Sequence, residues 1–189
     1  MKNKLGDEEM KRGFVLLITG IPSSGKTTLA NSLAEFLRAR GYSVEVLDAF
    51  WVRNHICLHE GYNDESGKKI ITCTAWTARL LARNGVIVLC SFVTPSRSLR
   101  ELFKKIVGEE VPVYEVYLKC SIDVCRRRDN KRLYERLERG EIKVLPGVTI
   151  PYEESPNPDL IIDTSIVDEN KTLEITLKFL EKKKLLQVS

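Results

Sequence analysis

Phe14-Val15-Leu16-Leu17-Ile18-Thr19-Gly20-Ile21-Pro22-Ser23-Ser24-Gly25-Lys26-Thr27-Thr28 is the stretch on which the fold turns. Its apolar, β-branched opening from Phe14 to Ile18 predicts a buried strand, and Gly20 to Thr27 then fits G-x-x-x-x-G-K-[ST] without a mismatch. This is the pattern of a phosphate-binding loop between a strand and a helix. Gly20 and Gly25 let the backbone approach a polyphosphate closely, so that successive N–H groups, with those of Ser23, Ser24 and Thr28, point inward at it. Lys26 adds a point charge near the outer phosphates, Thr27 offers a hydroxyl to Mg²⁺, and the following helix presents its positive end.

Working outward, strands and helices alternate. Leu29, Leu33, Phe36 and Leu37 recur at helical spacing before Gly41, and Ser43 to Leu47 predicts a second strand ending at Asp48. Lys68 to Asn84 carries helical periodicity through Ile71, Ala75, Ala78 and Leu81, and Val86 to Cys90 is a continuous apolar run that predicts a central strand. Ser98 to Val107 follows as an amphipathic helix, Val113 to Leu118 as a fourth strand and Leu160 to Ile162 as a fifth. A last helix carries Leu173, Leu177 and Leu180 on one face. Strands separated by crossover helices imply an α/β fold, a parallel sheet with helices on both faces.

The 189 residues suit one domain over 1–189, with a polar tail at 1–12. Thirty basic against twenty-six acidic residues give a net charge of +4, which suits an anionic small molecule and does not call for nucleic acid. Five cysteines without a C-x-x-C pair argue against a disulfide framework or a zinc ribbon, and Trp76 and the cysteines are expected in the core. With no apolar segment of signal-peptide or membrane-spanning character, the expected location is the cytoplasm, without membrane contact.

Two segments interrupt the alternation, and both are expected at the carboxyl ends of strands, where ligands bind in such sheets. The first, Ala49 to Gly67, contains both histidines. The second, Arg126 to Pro158, opens with Arg126, Arg127, Arg128, Lys131 and Arg132 and ends among prolines. It is expected to be a basic lid whose arginines neutralise charge on a transferred phosphoryl group; the alternative is an exposed basic helix bridging to Glu135 and Glu138.

From Gly13 to Thr164 the chain resembles the adenylylsulfate kinase family. The resemblance is carried by Leu47-Asp48, Val52-Arg53, Gly61-Tyr62, Ser91-Phe92-Val93-Thr94-Pro95, Arg128-Asp129, Leu133-Tyr134, Gly140-Glu141-Ile142-Lys143, Pro151-Tyr152-Glu153 and Asp163-Thr164 in one order. It implies a P-loop kinase fold with a five-stranded parallel sheet, MgATP as donor and the 3′-hydroxyl of adenylyl sulfate as the family's acceptor. Carried over residue by residue, it places Lys26, Asp48 and Arg128 in catalysis, Arg128 and Lys131 on the nucleotide, and Thr27 and Asp48 at Mg²⁺. The acceptor falls to Phe50, Trp51, Arg53, Tyr62, Thr94, Arg97, Lys143 and Leu145. A homodimer is a further expectation.

The departures lie mostly on the acceptor side. Where the family has Asp-Gly-Asp-Asn, this chain has Asp48-Ala49-Phe50-Trp51, so the acid assigned near the attacking hydroxyl is Phe50. Family positions that hold the acceptor align with Gly67, Ile70, Thr72 and Cys73, and one of two rings that sandwich its adenine aligns with Leu145. Losing several such contacts, each worth about 1–3 kcal/mol, predicts weak binding of adenylyl sulfate. The expected reaction is therefore ATP-dependent phosphorylation of a compact anionic alcohol such as a polyol or sugar phosphate. A genuine adenylylsulfate kinase is the alternative, with a polynucleotide 5′-hydroxyl kinase or a non-catalytic nucleotide-binding module behind it. His55 and His59 have metal-ligand spacing without a third ligand, and they also fit ordinary half-buried histidines or contacts to an anionic acceptor.

Overall fold

A computed structural model describes residues 13–58 and 64–186. The tail 1–12 and the candidate residues His59, Glu60 and Tyr62 lie outside the described residues.

Each apolar run forms its strand, displaced by a residue at most: β1 Val15–Thr19, β2 Val44–Asp48, β3 Ile87–Ser91, β4 Val113–Lys119 and β5 Leu160–Asp163. All pair in parallel in the order β2-β3-β1-β4-β5, so the phosphate loop leaves the middle strand of the sheet. β1 and β3 are buried along their whole length, as strands covered on both faces must be. Alternate residues of β1 divide between two cores. Val15 and Leu17 pack with Ile70, Ala75 and Ala78 of α3 (Asp64–Ala82) and Phe103 and Val107 of α4 (Arg97–Gly108). Leu16 and Ile18 pack with Leu29, Leu33 and Leu37 of α1 (Lys26–Arg38) and Leu180 of α7 (Glu169–Lys182).

Three features depart from the sequence-based expectations. α2 (Ala49–His55) stands in the stretch expected to be irregular; Val52 is its one buried residue, too little to give a periodic signal. It forms because Asp48 caps it, Oδ1 accepting from the N–H groups of Phe50 and Trp51 at 2.8 Å each. Among the described residues α3 is helical from Asp64 rather than Lys68, since Asp64 to Gly67 shows no apolar period. Trp76 is 47% exposed rather than in the core, because the buried face of α3 runs through Ile70, Ile71, Ala75, Ala78 and Ala82. The Arg79 guanidinium lies 4.9 Å from its ring centroid and pairs with Glu109 and Glu110.

Candidate active site

Beyond β1 the chain wraps into the loop. At Gly20 (φ 146°) an added Cβ would meet Leu118 O at 2.5 Å and Ser24 Oγ at 2.7 Å, so this position excludes every larger residue. Gly25 is the N-cap of α1 and supplies no side-chain cap, which leaves the first N–H groups of the helix for an anion. The buried Ser24 hydroxyl has no hydrogen-bond partner, an open valence expected where a ligand belongs. Lys26 is buried with Nζ donating to Ile21 O at 2.7 Å. Burial above all lowers its pKa to about 8; nearby Cys125 opposes the shift and Lys131 adds to it. Thr27 Oγ1 lies 3.3 Å from Ser91 Oγ, and Ser91 is the register partner of Asp48 across β2 and β3.

A continuous cavity of about 1750 Å³ crosses the carboxyl edge of the sheet with this loop at its centre. The strand order puts the segments after β2 and β3 on one side and those after β4 and β5 on the other. On the first side Asp48, Phe50, Arg53, Gly67, Ile70 and Thr94 border it, with Lys143 and Leu145; on the second, Arg128, Lys131, Thr164 and Asp168 do.

The segment after β4 folds as two short helices, α5 (Ile122–Arg127) and α6 (Leu133–Glu138), tied onto the phosphate loop. Tyr134 OH donates to Pro22 O at 3.0 Å, and the Asp129 carboxylate accepts from Ser23 Oγ at 3.3 Å and from Tyr134 N–H at 2.8 Å. Arg128 donates to Thr164 O at 2.8 Å, and Thr164 Oγ1 to Ser24 O at 3.1 Å. Ile21, Cys125, Tyr134 and Leu145 form a small apolar cluster beneath. The basic run divides between ion pairs and the cavity. Arg126 pairs with Glu138, and Arg132 and Arg139 pair with Glu135, while Arg128 and Lys131 face the cavity.

The acceptor candidates separate. Phe50 stands at the cavity edge, 71% exposed, and does not fill it. Trp51 turns away and stacks on His55 at 4.8 Å, and neither it nor Arg97 borders the cavity. Arg97 instead donates Nε–H to Glu154 O at 2.8 Å. Thr72 and Cys73 also lie off the cavity, Thr72 bonded to Lys68 O and Cys73 packed on the core. Leu145 is buried in the small cluster yet lines the cavity. His55 Nδ1 lies 2.8 Å from Trp51 O, and no group of three potential metal-ligating side chains occurs among the described residues. Sequence reasoning missed Ser24's open valence, the Asp129–Tyr134 tether and the pair Arg100–Glu115. The last left one signal: an arginine at i−3 and i−7 from buried Phe103 and Val107, on the apolar face of a helix.

A phosphate loop on the central strand of a 2-3-1-4-5 parallel sheet, facing a second substrate side, defines a P-loop kinase. The family model for adenylylsulphate kinase matches residues 12–163, and the chain belongs to that family. It is 44% identical to a probable adenylyl-sulfate kinase of Aeropyrum pernix over 90% of this chain and 92% of that one. It is 38% identical to the adenylyl-sulfate kinase of Prochlorococcus marinus, covering 92% and 86%. The structure of the Mycobacterium tuberculosis APS kinase CysC in complex with AMPPNP and APS superposes with a TM-score of 0.86 at 28% identity, over 90% of this chain and 98% of that one. These relatives overturn the expectation of a compact polyol or sugar-phosphate acceptor. The geometry is compatible with a larger acceptor, since Phe50 stands exposed at the cavity edge and Trp51 lies off it, so that neither ring fills the space. Among the described residues no helix is long and apolar enough to cross a membrane.

Proposed function

We propose that this protein transfers the γ-phosphate of MgATP to the 3′-hydroxyl of adenylyl sulfate. The observation that carries the proposal is the size and continuity of the cavity. At about 1750 Å³ it exceeds the roughly 300–1,000 Å³ of a single small-molecule site and has room for two nucleotides end to end across the phosphate loop. With the donor in place, a compact alcohol would leave much of the acceptor side wet.

The donor lies on the loop, its phosphates meeting Lys26, the α1 N-terminus and the unpartnered Ser24 hydroxyl, with Arg128 and Lys131 on its far side. The donor set at the loop is hydroxyl and carboxylate oxygen, from Thr27 and Asp48, with Ser91 beside them; this suits Mg²⁺, which keeps waters and takes phosphate oxygens rather than a full protein cage. When bound, that ion neutralises phosphate charge. Asp48 is anchored through Oδ1 as a helix cap and can present its other oxygen toward the acceptor side. With phenylalanine in place of the family's second acid, positioning and charge stabilisation carry transfer, as a loose transition state allows. Residues 126–158 act as the lid, Lys143 and Leu145 closing on the acceptor.

Incubation with MgATP and adenylyl sulfate, followed by phosphorus NMR of the product, tests the proposal. A new monoester phosphate at the ribose 3′ position is expected; ATP hydrolysis without a phosphorylated nucleotide product contradicts it.

A further inference from the structure

Arg100 is 1% exposed and Glu115 is fully buried, yet neither borders the cavity. A buried guanidinium is costly unless its donors are used, and here they converge on two separate pieces of backbone. Nη1 donates to Thr94 O at 2.6 Å and reaches Pro95 O at 3.3 Å, in the loop between β3 and α4; Nη2 donates to Glu153 O. Nε faces Glu115 Oε1 at 3.3 Å, an ion-pair approach off the line of a hydrogen bond, and Lys104 Nζ donates to the other carboxylate oxygen at 2.7 Å. Below, the Tyr152 ring lies 5.2 Å from the guanidinium and stacks on Tyr117 at 5.4 Å.

What this assembly holds is strained. Thr94 has φ 39°, a left-handed conformation that a β-branched residue adopts only when its surroundings impose it. Its carbonyl is taken by Arg100, and its hydroxyl lies 2.9 Å from Thr19 Oγ1, which also contacts Val93 O at 2.7 Å and Tyr152 OH at 2.9 Å. The loop is joined to the segment around Glu153 by Glu153 N–H to Pro95 O at 2.8 Å and Arg97 N–H to the Glu153 carboxylate at 2.7 Å. Thr94, Pro95, Ser96, Pro151 and Glu153 all line the cavity on the side of β2 and β3.

We infer that Arg100, set in place by Glu115, is a positioning residue that clamps the strained Thr94 loop to the segment at Glu153 and thereby pre-forms the acceptor half of the site. This rests on the proposed function only for which side receives the hydroxyl substrate. A planar fork is required: lysine keeps a charge against Glu115 but cannot reach Thr94 and Glu153 together.

Arg100→Lys tests this by three readouts on the full chain. The KM for adenylyl sulfate is expected to rise about tenfold or more, from the loss of charge-assisted bonds, with the Kd for a non-hydrolysable ATP analogue within about twofold. Amide hydrogen exchange is expected to accelerate at residues 93–96 and 152–154 and to stay unchanged in β1 and α1. Equal loss of ATP affinity would reduce Arg100 to general stability, and full retention of acceptor KM and of exchange rates would overturn the clamp. Glu115→Gln, which keeps the shape of the side chain and removes the charge facing Arg100 Nε, keeps the clamp open to refutation if the lysine variant fails to fold; a rise of several-fold in acceptor KM with faster exchange at 93–96 and 152–154 is expected, and no change in KM or exchange overturns the inference. If wild-type protein does not use adenylyl sulfate, the proposed function fails, while exchange and ATP affinity still decide the clamp.

Discussion

Lys26 shows how a single residue is tuned by its place. Burial lowers its pKa from 10.5 to about 8, so the folded protein releases this proton before the unfolded chain does. Between about pH 8 and 10.5 the unfolded state binds more protons, and the contribution of Lys26 to stability rises with pH; below pH 8 both states are protonated and the burial penalty stands in full. Polyphosphate reverses the balance, because it favours the charged ammonium. Binding of an ATP analogue at pH 8.5 is therefore expected to take up a substantial fraction of a proton, read by calorimetry in buffers of different ionisation enthalpy. Heats that do not depend on the buffer would contradict this. The motif singled out Lys26, but its perturbed protonation was not legible, since the shift arises above all from burial that only folding supplies.

At the scale of elements, strand positions were legible because β-branched runs buried on both faces leave an unbroken apolar signal. α2, α5 and α6 were not, since helices of six or seven residues with one buried side chain each carry no period. Such helices are held by tertiary tethers, and α6 is held by Tyr134. Tyr134→Phe removes a buried hydrogen bond to Pro22 O, worth about 1 kcal/mol. It is expected to speed amide exchange through residues 128–138, with protection restored by an ATP analogue. Unchanged exchange in the apo protein, or no response to nucleotide, would count against residues 126–158 as a lid closing on the donor.

For the whole molecule, the sheet order decides more than any one side chain. With β1 central, the phosphate loop lies between the part of the cavity beyond β4 and β5, the proposed donor side, and the part beyond β2 and β3, the proposed acceptor side. The sequence pointed to the segments that border each part, but the kind of acceptor was misjudged. A departure such as Phe50 for an acid says which group is lost, not where the replacing ring points, and here it points outward. Gly67 and Ile70, aligned by the resemblance with positions that hold the acceptor, border the cavity all the same. The direct test is steady-state kinetics with MgATP on adenylyl sulfate beside a panel of polyol and sugar phosphates. A kcat/KM for adenylyl sulfate of about 10⁴ M⁻¹s⁻¹ or higher, above every compact alcohol, is the predicted result; a compact phosphate-bearing alcohol turned over more efficiently than adenylyl sulfate would contradict it.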